Sequence, residues 1–207
     1  MKNIGIALSC LVVLFIGYKL MGSSHDIKNA APTGKTIICF GDSLTYGTGA
    51  GKGLDYPAQL STLIGRPVIN LGVPGDTTAG ALARIDTVLE KEPRMVLLTL
   101  GGNDLKNRVP KQTAFNNLER IIQMIQARGA LVVIGGIDIP FWGRGFGEMY
   151  ERAAEETQSL LIPNIFDSIM GDKSLMSDSI HPNDQGYSKM AEKFYRVIKP
   201  YLVSSHK

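Results

Sequence analysis

Four times along this chain a short apolar run stops at glycine. Ile37-Ile38-Cys39-Phe40 ends at Gly41, Pro67 to Leu71 at Gly72, Met95 to Leu100 at Gly101, and Leu131 to Ile134 at Gly135. Mostly apolar runs of this length, interrupted only by Asn70 and Thr99 and without polar alternation, are the pattern of strands buried on both faces. Helical spacing fills the intervals. Asp55 to Ile64 places Tyr56, Leu60, Leu63 and Ile64 on one face, and Thr77 or Thr78 can cap a helix running through Glu90. Gln112 to Ala127 carries the stripe Phe115, Leu118, Ile121, Ile122 and Ile125, and Glu148 to Leu160 and Gln185 to Val203 complete the helices. Leu161 to Ile165 reads as a short fifth strand. Strands buried on both faces and alternating with helices predict an α/β fold, a parallel sheet covered by helices on each side. All strands then run the same way, so their glycine-bearing turns collect along one edge, where open parallel sheets bind ligands.

The 207 residues suit one domain with a sizeable core. Met1 to Gly22 stands apart: Lys2 precedes an uncharged, mostly apolar run from Ile4 to Tyr18, and Lys19 and small residues follow. This is the layout of a secretory signal, while Leu20 and Met21 extend the run toward the length of an uncleaved membrane anchor. Both readings put the body outside the cytoplasm, and residues 4–21 are the candidate membrane contact. Residues 23–35, polar with Ala, Pro and Gly, read as a tether to a folded body at 36–207. With Lys2 and Lys19 set aside, the formal charge of +3 falls to +1. No clustered basic face is left to bind nucleic acid. The two cysteines, Cys10 and Cys39, have neither metal-site spacing nor a plausible pairing.

The first glycine turn, Gly41-Asp42-Ser43-Leu44, exposes a serine. A serine hydroxyl is a weak nucleophile unless a base accepts its proton and a third group holds that base's tautomer. Of His25, His181 and His206, the first falls in the tether and the last is penultimate, so His181 is the usable base. Asp178 lies three residues earlier, close enough in a compact turn to orient the imidazole. Donors for an oxyanion can come from the next two turns: a backbone N–H of Gly75 or Gly72, and the side-chain amide of Asn103. Asp42, Asp104 and Asp138 share this edge and are expected to order turns through local hydrogen bonds. Histidine is too scarce for a transition-metal site.

Gly41-Asp42-Ser43-Leu44, Gly75-Asp76-Thr77, Gly101-Gly102-Asn103-Asp104 and Asp178-Ser179-Ile180-His181-Pro182 resemble, in order, the four blocks of the GDSL or SGNH hydrolases. The resemblance covers roughly Thr36 to Tyr201. Gly-Asp-Thr-Thr and Leu-Gly-Gly-Asn-Asp are most similar to the bacterial acyl-CoA thioesterase I, lysophospholipase and arylesterase branch. It implies a three-layer α/β/α sandwich on a flavodoxin-like, mainly five-stranded parallel sheet, and hydrolysis of acyl (thio)esters through an acyl-enzyme, with no cofactor and no metal. Carried over by position, Ser43 is the nucleophile, His181 the base and acid, and Asp178 the orienting carboxylate. Ser43 N–H, Gly75 N–H and the Asn103 amide form the oxyanion hole. No Gly-x-Ser-x-Gly elbow occurs, which argues against the larger α/β-hydrolase architecture.

Substrate is less determined. Ile137 to Gly147 is a glycine-rich loop with Phe141, Trp142 and Phe146, expected to overhang the site as an apolar wall for an acyl chain. The leading reading is a monomeric esterase acting on small-molecule or lipid acyl esters. A carbohydrate or peptidoglycan O-acetylesterase is the enzymatic alternative. A non-catalytic flavodoxin-like binding module is the alternative from another class, although Gly41 to Thr45 lacks a phosphate-binding lysine or a spaced glycine fingerprint.

Overall fold

The computed structural model describes residues 26–138 and 145–202. Five parallel strands, β1 (Thr36–Gly41), β2 (Val68–Gly72), β3 (Pro93–Thr99), β4 (Leu131–Gly135) and β5 (Leu160–Ile162), form one sheet in the order β2-β1-β3-β4-β5. This is the doubly wound flavodoxin-like order, whose direction of winding reverses between β1 and β3. The central strands are dry: Ile38, Cys39, Phe40 and Met95 to Leu98 are fully buried.

Eight helices are described: α1 (Ser43–Tyr46), α2 (Tyr56–Ile64), α3 (Thr78–Ala83), α4 (Asp86–Leu89), α5 (Gly102–Lys106), α6 (Lys111–Gln126), α7 (Phe146–Thr157) and α8 (Asp184–Ile198). In one layer α2 packs on α8, with Tyr56 stacked on Phe194 at a ring separation of 5.1 Å. In the other layer α3 packs on α6 and α6 on α7. The predicted stripe of α6 is the buried one. On α2 the burial is narrower than expected: Tyr56 and Leu60 are covered, but Leu63 remains 43% exposed.

Three boundaries differ for physical reasons. The helix expected from Thr77 or Thr78 to Glu90 is two short helices broken at Arg84-Ile85, where the Arg84 carbonyl accepts from the Thr87 amide and hydroxyl. The last helix gives way to a 3-10 turn at Lys199–Tyr201, because Pro200 has no amide proton to continue α8. The stretch read as a tether is bonded to the body from residue 28 onward. Lys28 N donates to Gln158 O, Thr33 N to Gly129 O and Lys35 N to Glu92 O. Asn29 Nδ2 donates to the carbonyls of Gln126 and Ala130, both at 2.9 Å, and Arg94 holds Pro32 O at 2.7 Å. These partners all lie by the amino ends of β3, β4 and β5, so residues 26–35 run along the edge opposite the glycine turns.

Among the described residues no helix is long and apolar enough to cross a membrane. The apolar segment at 4–21 and the signal or anchor assigned to 1–22 lie outside the described residues.

Candidate active site

β1 delivers Ser43 directly to the sheet edge. Gly41 sits so close to β3 that a Cβ there would lie 2.3 Å from the Thr99 carbonyl oxygen, so the strand can end here only with glycine. Asp42 then caps α1, its Oδ1 accepting from Leu44 N at 3.0 Å. The serine is therefore the first residue of a short helix and not part of an open turn. Its own N–H is free of backbone acceptors among the described residues.

The partner turn is built at the other end of the chain. An isolated bridge between Met176 and Pro182 closes it, with Ser177 N donating to His181 O and Asn183 N to Leu175 O, both at 2.9 Å. Inside this turn Asp178 Oδ1 accepts from the amides of Ile180 and His181, each at 2.8 Å. Asp178 Oδ2 is 2.7 Å from His181 Nδ1, and His181 Nε2 is 3.0 Å from Ser43 Oγ. The imidazole bond, followed by the Ile180 amide, holds the Asp178 carboxyl down at about 2. An ionised acceptor at Nδ1 keeps the proton there and leaves Nε2 free to accept from the serine. The first turn of α8 docks this unit against the β1 side. Asp184 takes Gly51 N at 2.7 Å and Gln59 Nε2 at 2.9 Å, and Tyr187 OH reaches Thr48 O at 2.9 Å.

The second and third turns supply donors. Pro74-Gly75, with Gly75 at φ 83° and Asp76 N returning to Val73 O at 3.1 Å, has the residue pair a type II turn requires. Gly72 and Gly75 differ in hydrogen bonding. Gly72 N is already committed to Asn70 Oδ1 at 2.9 Å, whereas Gly75 N has no backbone acceptor among the described residues. Asn103 Nδ2 donates to Asp76 O at 2.9 Å and, more weakly, to Asp42 Oδ2 at 3.3 Å. That longer bond is the one an incoming oxygen can replace.

The three edge acids have separate roles. Asp42 makes the local cap expected of it, and burial pushes its carboxyl up to about 7. Asp104 is fully buried but acts at long range, accepting from Thr78 N at 2.9 Å and Thr78 Oγ1 at 2.7 Å. Asp138 offers its carbonyl, which accepts from Asn164 Nδ2 at 2.8 Å.

A cleft of about 50 Å³ opens beside Ser43, His181 and Asn103, with Leu44, Leu105, Ile137, Phe166 and Ile180 as its apolar lining. A larger hollow of about 480 Å³ between β5 and α8 contains none of these residues. Its Lys193 ties down the carbonyls of Asn164, Ile165 and Asp167. Phe146 is not part of the cleft wall: it opens α7, is 4% exposed, and meets Phe115 edge-on at 5.9 Å. A ring that caps the core between α6 and α7 is unavailable to substrate. Phe141 and Trp142 lie outside the described residues. The wall residues that do line the cleft are single apolar residues, Leu44 and Leu105 on one-turn helices and the others in loops, with no periodicity in the sequence to mark them.

A hydroxyl aligned with an imidazole that is aligned with a carboxylate, beside unengaged N–H groups, can carry out acyl transfer. The comparisons agree. Residues 39–189 match the model of the GDSL-like lipase/acylhydrolase family. Esterase TesA of Pseudomonas aeruginosa is 30% identical over 181 residues, which is 81% of this chain and 90% of that protein. The thioesterase 1/protease 1/lysophospholipase L1 of Escherichia coli K12 is 30% identical over 83% of this chain and 87% of its own length. A crystal structure of TesA superposes with a TM-score of 0.76 at 28% identity, covering 81% of this chain and 99% of that one. A psychrotrophic esterase EstA from Pseudoalteromonas, inhibited by monoethylphosphonate, gives 0.73 at 29% identity, covering 81% and 98%. With this fold and these four sequence blocks, the chain belongs to the GDSL-like lipase/acylhydrolase family.

Proposed function

We propose that this chain is a serine hydrolase of carboxylic esters and thioesters. The observation that carries the reading is the continuous Ser43–His181–Asp178 hydrogen-bonded chain, 3.0 and 2.7 Å between heavy atoms, assembled from residues 138 apart in sequence. A binding module would have no use for it.

In the reaction, Ser43 Oγ attacks the acyl carbonyl while its proton passes to His181 Nε2. The carbonyl oxygen becomes an oxyanion held by Ser43 N–H, Gly75 N–H and the Asn103 amide. Collapse of the adduct breaks the bond to the leaving alcohol or thiol, which takes the proton from His181. Water then repeats the sequence: it gives a proton to His181, attacks the acyl-serine, and releases the acid as Ser43 recovers its proton. Asp178 remains ionised throughout and stabilises the imidazolium. No cofactor or metal is needed.

The apolar lining of the cleft suits the acyl side of small-molecule or lipid esters. The relatives named for esterase, thioesterase and lysophospholipase activity support the same substrate range. We place the body outside the cytoplasm, on the strength of the basic and apolar start of the chain. Because residues 26–35 are bonded along the edge opposite Ser43, a membrane-held N-terminus would turn the cleft away from that membrane. Hydrolysis of p-nitrophenyl butyrate and stoichiometric labelling by a fluorophosphonate should both vanish in Ser43→Ala with the thermal unfolding profile preserved. Wild-type rates in that variant would overturn the assignment.

A further inference from the structure

Arg84 lies outside the four sequence blocks, yet it joins the turns that carry the oxyanion donors. Its Nε donates to Asp76 Oδ2 at 2.7 Å, Nη2 is 2.7 Å from the same oxygen, and Nη2 also donates to Gly41 O at 3.0 Å. The guanidinium lies over the Phe40 ring, 4.3 Å from its centre. The Arg84 side chain is 21% exposed and that of Asp76 10%. Gly41 is two residues before Ser43. Asp76 follows Gly75, and its carbonyl holds the Asn103 amide at 2.9 Å. One side chain thus fixes the spacing between the stretches bearing all three donors.

We propose that Arg84 is a positioning residue for the oxyanion hole; the inference rests on the ester-hydrolase reading above. Its contribution has two parts. The bond to Gly41 O ties the end of β1 to the Gly75-Asp76 turn, so the Ser43 and Gly75 amides keep a common aim. The bond to Asp76 neutralises a mostly buried carboxylate that would otherwise oppose the negative charge developing nearby. A planar fork holds the two acceptors in fixed directions, whereas a lysine ammonium, a point charge on a flexible stem, does not fix their relative geometry. The break between α3 and α4 at Arg84-Ile85 is what brings the guanidinium to this position.

The test compares Arg84→Lys, Arg84→Met and the double variant Arg84→Met with Asp76→Asn. For each, kcat per fluorophosphonate-titrated serine, KM for p-nitrophenyl butyrate and Tm are measured. Arg84→Lys should retain the charge pair and lose about tenfold in kcat, and Arg84→Met about a hundredfold, the low end of what deleting a donor costs. The double variant should recover roughly tenfold over Arg84→Met, because the stranded carboxylate is gone. KM should stay within about threefold throughout, as expected for an interaction made in the transition state. Wild-type kcat per titrated site in Arg84→Met, a loss confined to KM, or a double variant no better than Arg84→Met would each overturn the proposal. If Arg84→Met does not fold, Arg84→Lys decides: a normal kcat there overturns it, and a lowered kcat at unchanged KM and Tm supports it. A wild-type protein that hydrolyses no ester removes the parent reading and this inference with it. A wild-type protein that does, alongside equally active Arg84 variants, removes this inference alone.

Discussion

Asp178→Asn tests the orienting carboxylate because the local hydrogen bonds dictate which way the new amide must face. Asp178 Oδ1 accepts two backbone amides, Ile180 N and His181 N, both at 2.8 Å. The asparagine oxygen will keep that position, which places its NH₂ where Oδ2 now stands, 2.7 Å from His181 Nδ1. Two donors cannot face each other there, so the imidazole proton moves to Nε2 and points at Ser43 Oγ, 3.0 Å away. The serine then has no acceptor for its own proton. Restoring the productive tautomer forfeits a charge-assisted hydrogen bond of about 1.5–3 kcal/mol, and the imidazolium loses its counter-charge. A fully buried aspartate in this role is worth about 10⁴ in kcat. The Asp178 side chain is 52% exposed, so solvent screening reduces the charge contribution. The net expectation is about 4 kcal/mol, or roughly 10³-fold in kcat. Steady-state hydrolysis of a nitrophenyl ester reads it, with KM little changed and Tm only slightly lowered, because both backbone bonds survive and the lost charge is half exposed. A folded Asp178→Asn enzyme with kcat within about fivefold of wild type would refute the tautomer argument.

Asn103→Ala should lower kcat by about 10²–10³ at nearly constant KM, the cost of one oxyanion donor; a change confined to KM would instead assign Asn103 to ground-state binding. Asp42 predicts a pH signature in stability. Burial holds its folded carboxyl up at about 7, above the unfolded value of about 3.9. Its contribution is therefore complete below pH ~4 and lost as pH rises through about 7. Asp178 acts in the opposite sense, stabilising above pH ~4 and losing that contribution as pH falls through about 2. Thermal unfolding of wild type and Asp42→Asn between pH 4 and 8 should show the variant with the flatter decline, and parallel curves would count against a buried, proton-holding Asp42.

Much of the fold was readable because β1, β3 and β4 are dry on both faces and stop at glycine, and because α6 is long enough to display its stripe. Shorter elements hid. α1 and α5 have four and five residues, too few for any periodicity, and only the capping Asp42 and the backbone reveal them. The strip at 26–35 has the composition of a linker, and its attachment depends on carbonyls about a hundred residues away. In the site, scarcity made His181 legible and spacing made Asp178 legible. Nothing local separated Gly75 from Gly72, since the difference is the hydrogen bond from Gly72 N to Asn70. Phe146 misled because an aromatic residue at the end of a glycine-rich loop can equally face a cleft or, as here, a core. Arg84 was invisible for a related reason: its fork joins Asp76 to Gly41, 43 residues away, and periodicity sees neither bond.

The proposed oxyanion site is ringed by carboxylates, and the hydrogen bonds show where each of them faces. The second and third turns clasp one another in both directions: Asn103 donates to the Asp76 carbonyl, and Thr78, two residues on, donates its amide and hydroxyl to Asp104. The acid next to Asn103 therefore faces the start of α3, where N–H groups and the helix dipole favour negative charge. The Asp76 carboxylate faces the Arg84 guanidinium. Neither carboxylate lines the cleft. Asp42 does, with its Oδ2 3.3 Å from the Asn103 amide. It is also the acid whose burial raises it to about 7, so near neutrality a large share of it carries no charge. The same turns thus aim two carboxylates away from the cleft and leave the third only partly ionised near neutrality. Under the proposed role of Asn103, an acid can therefore follow it directly in sequence without opposing the charge that develops there.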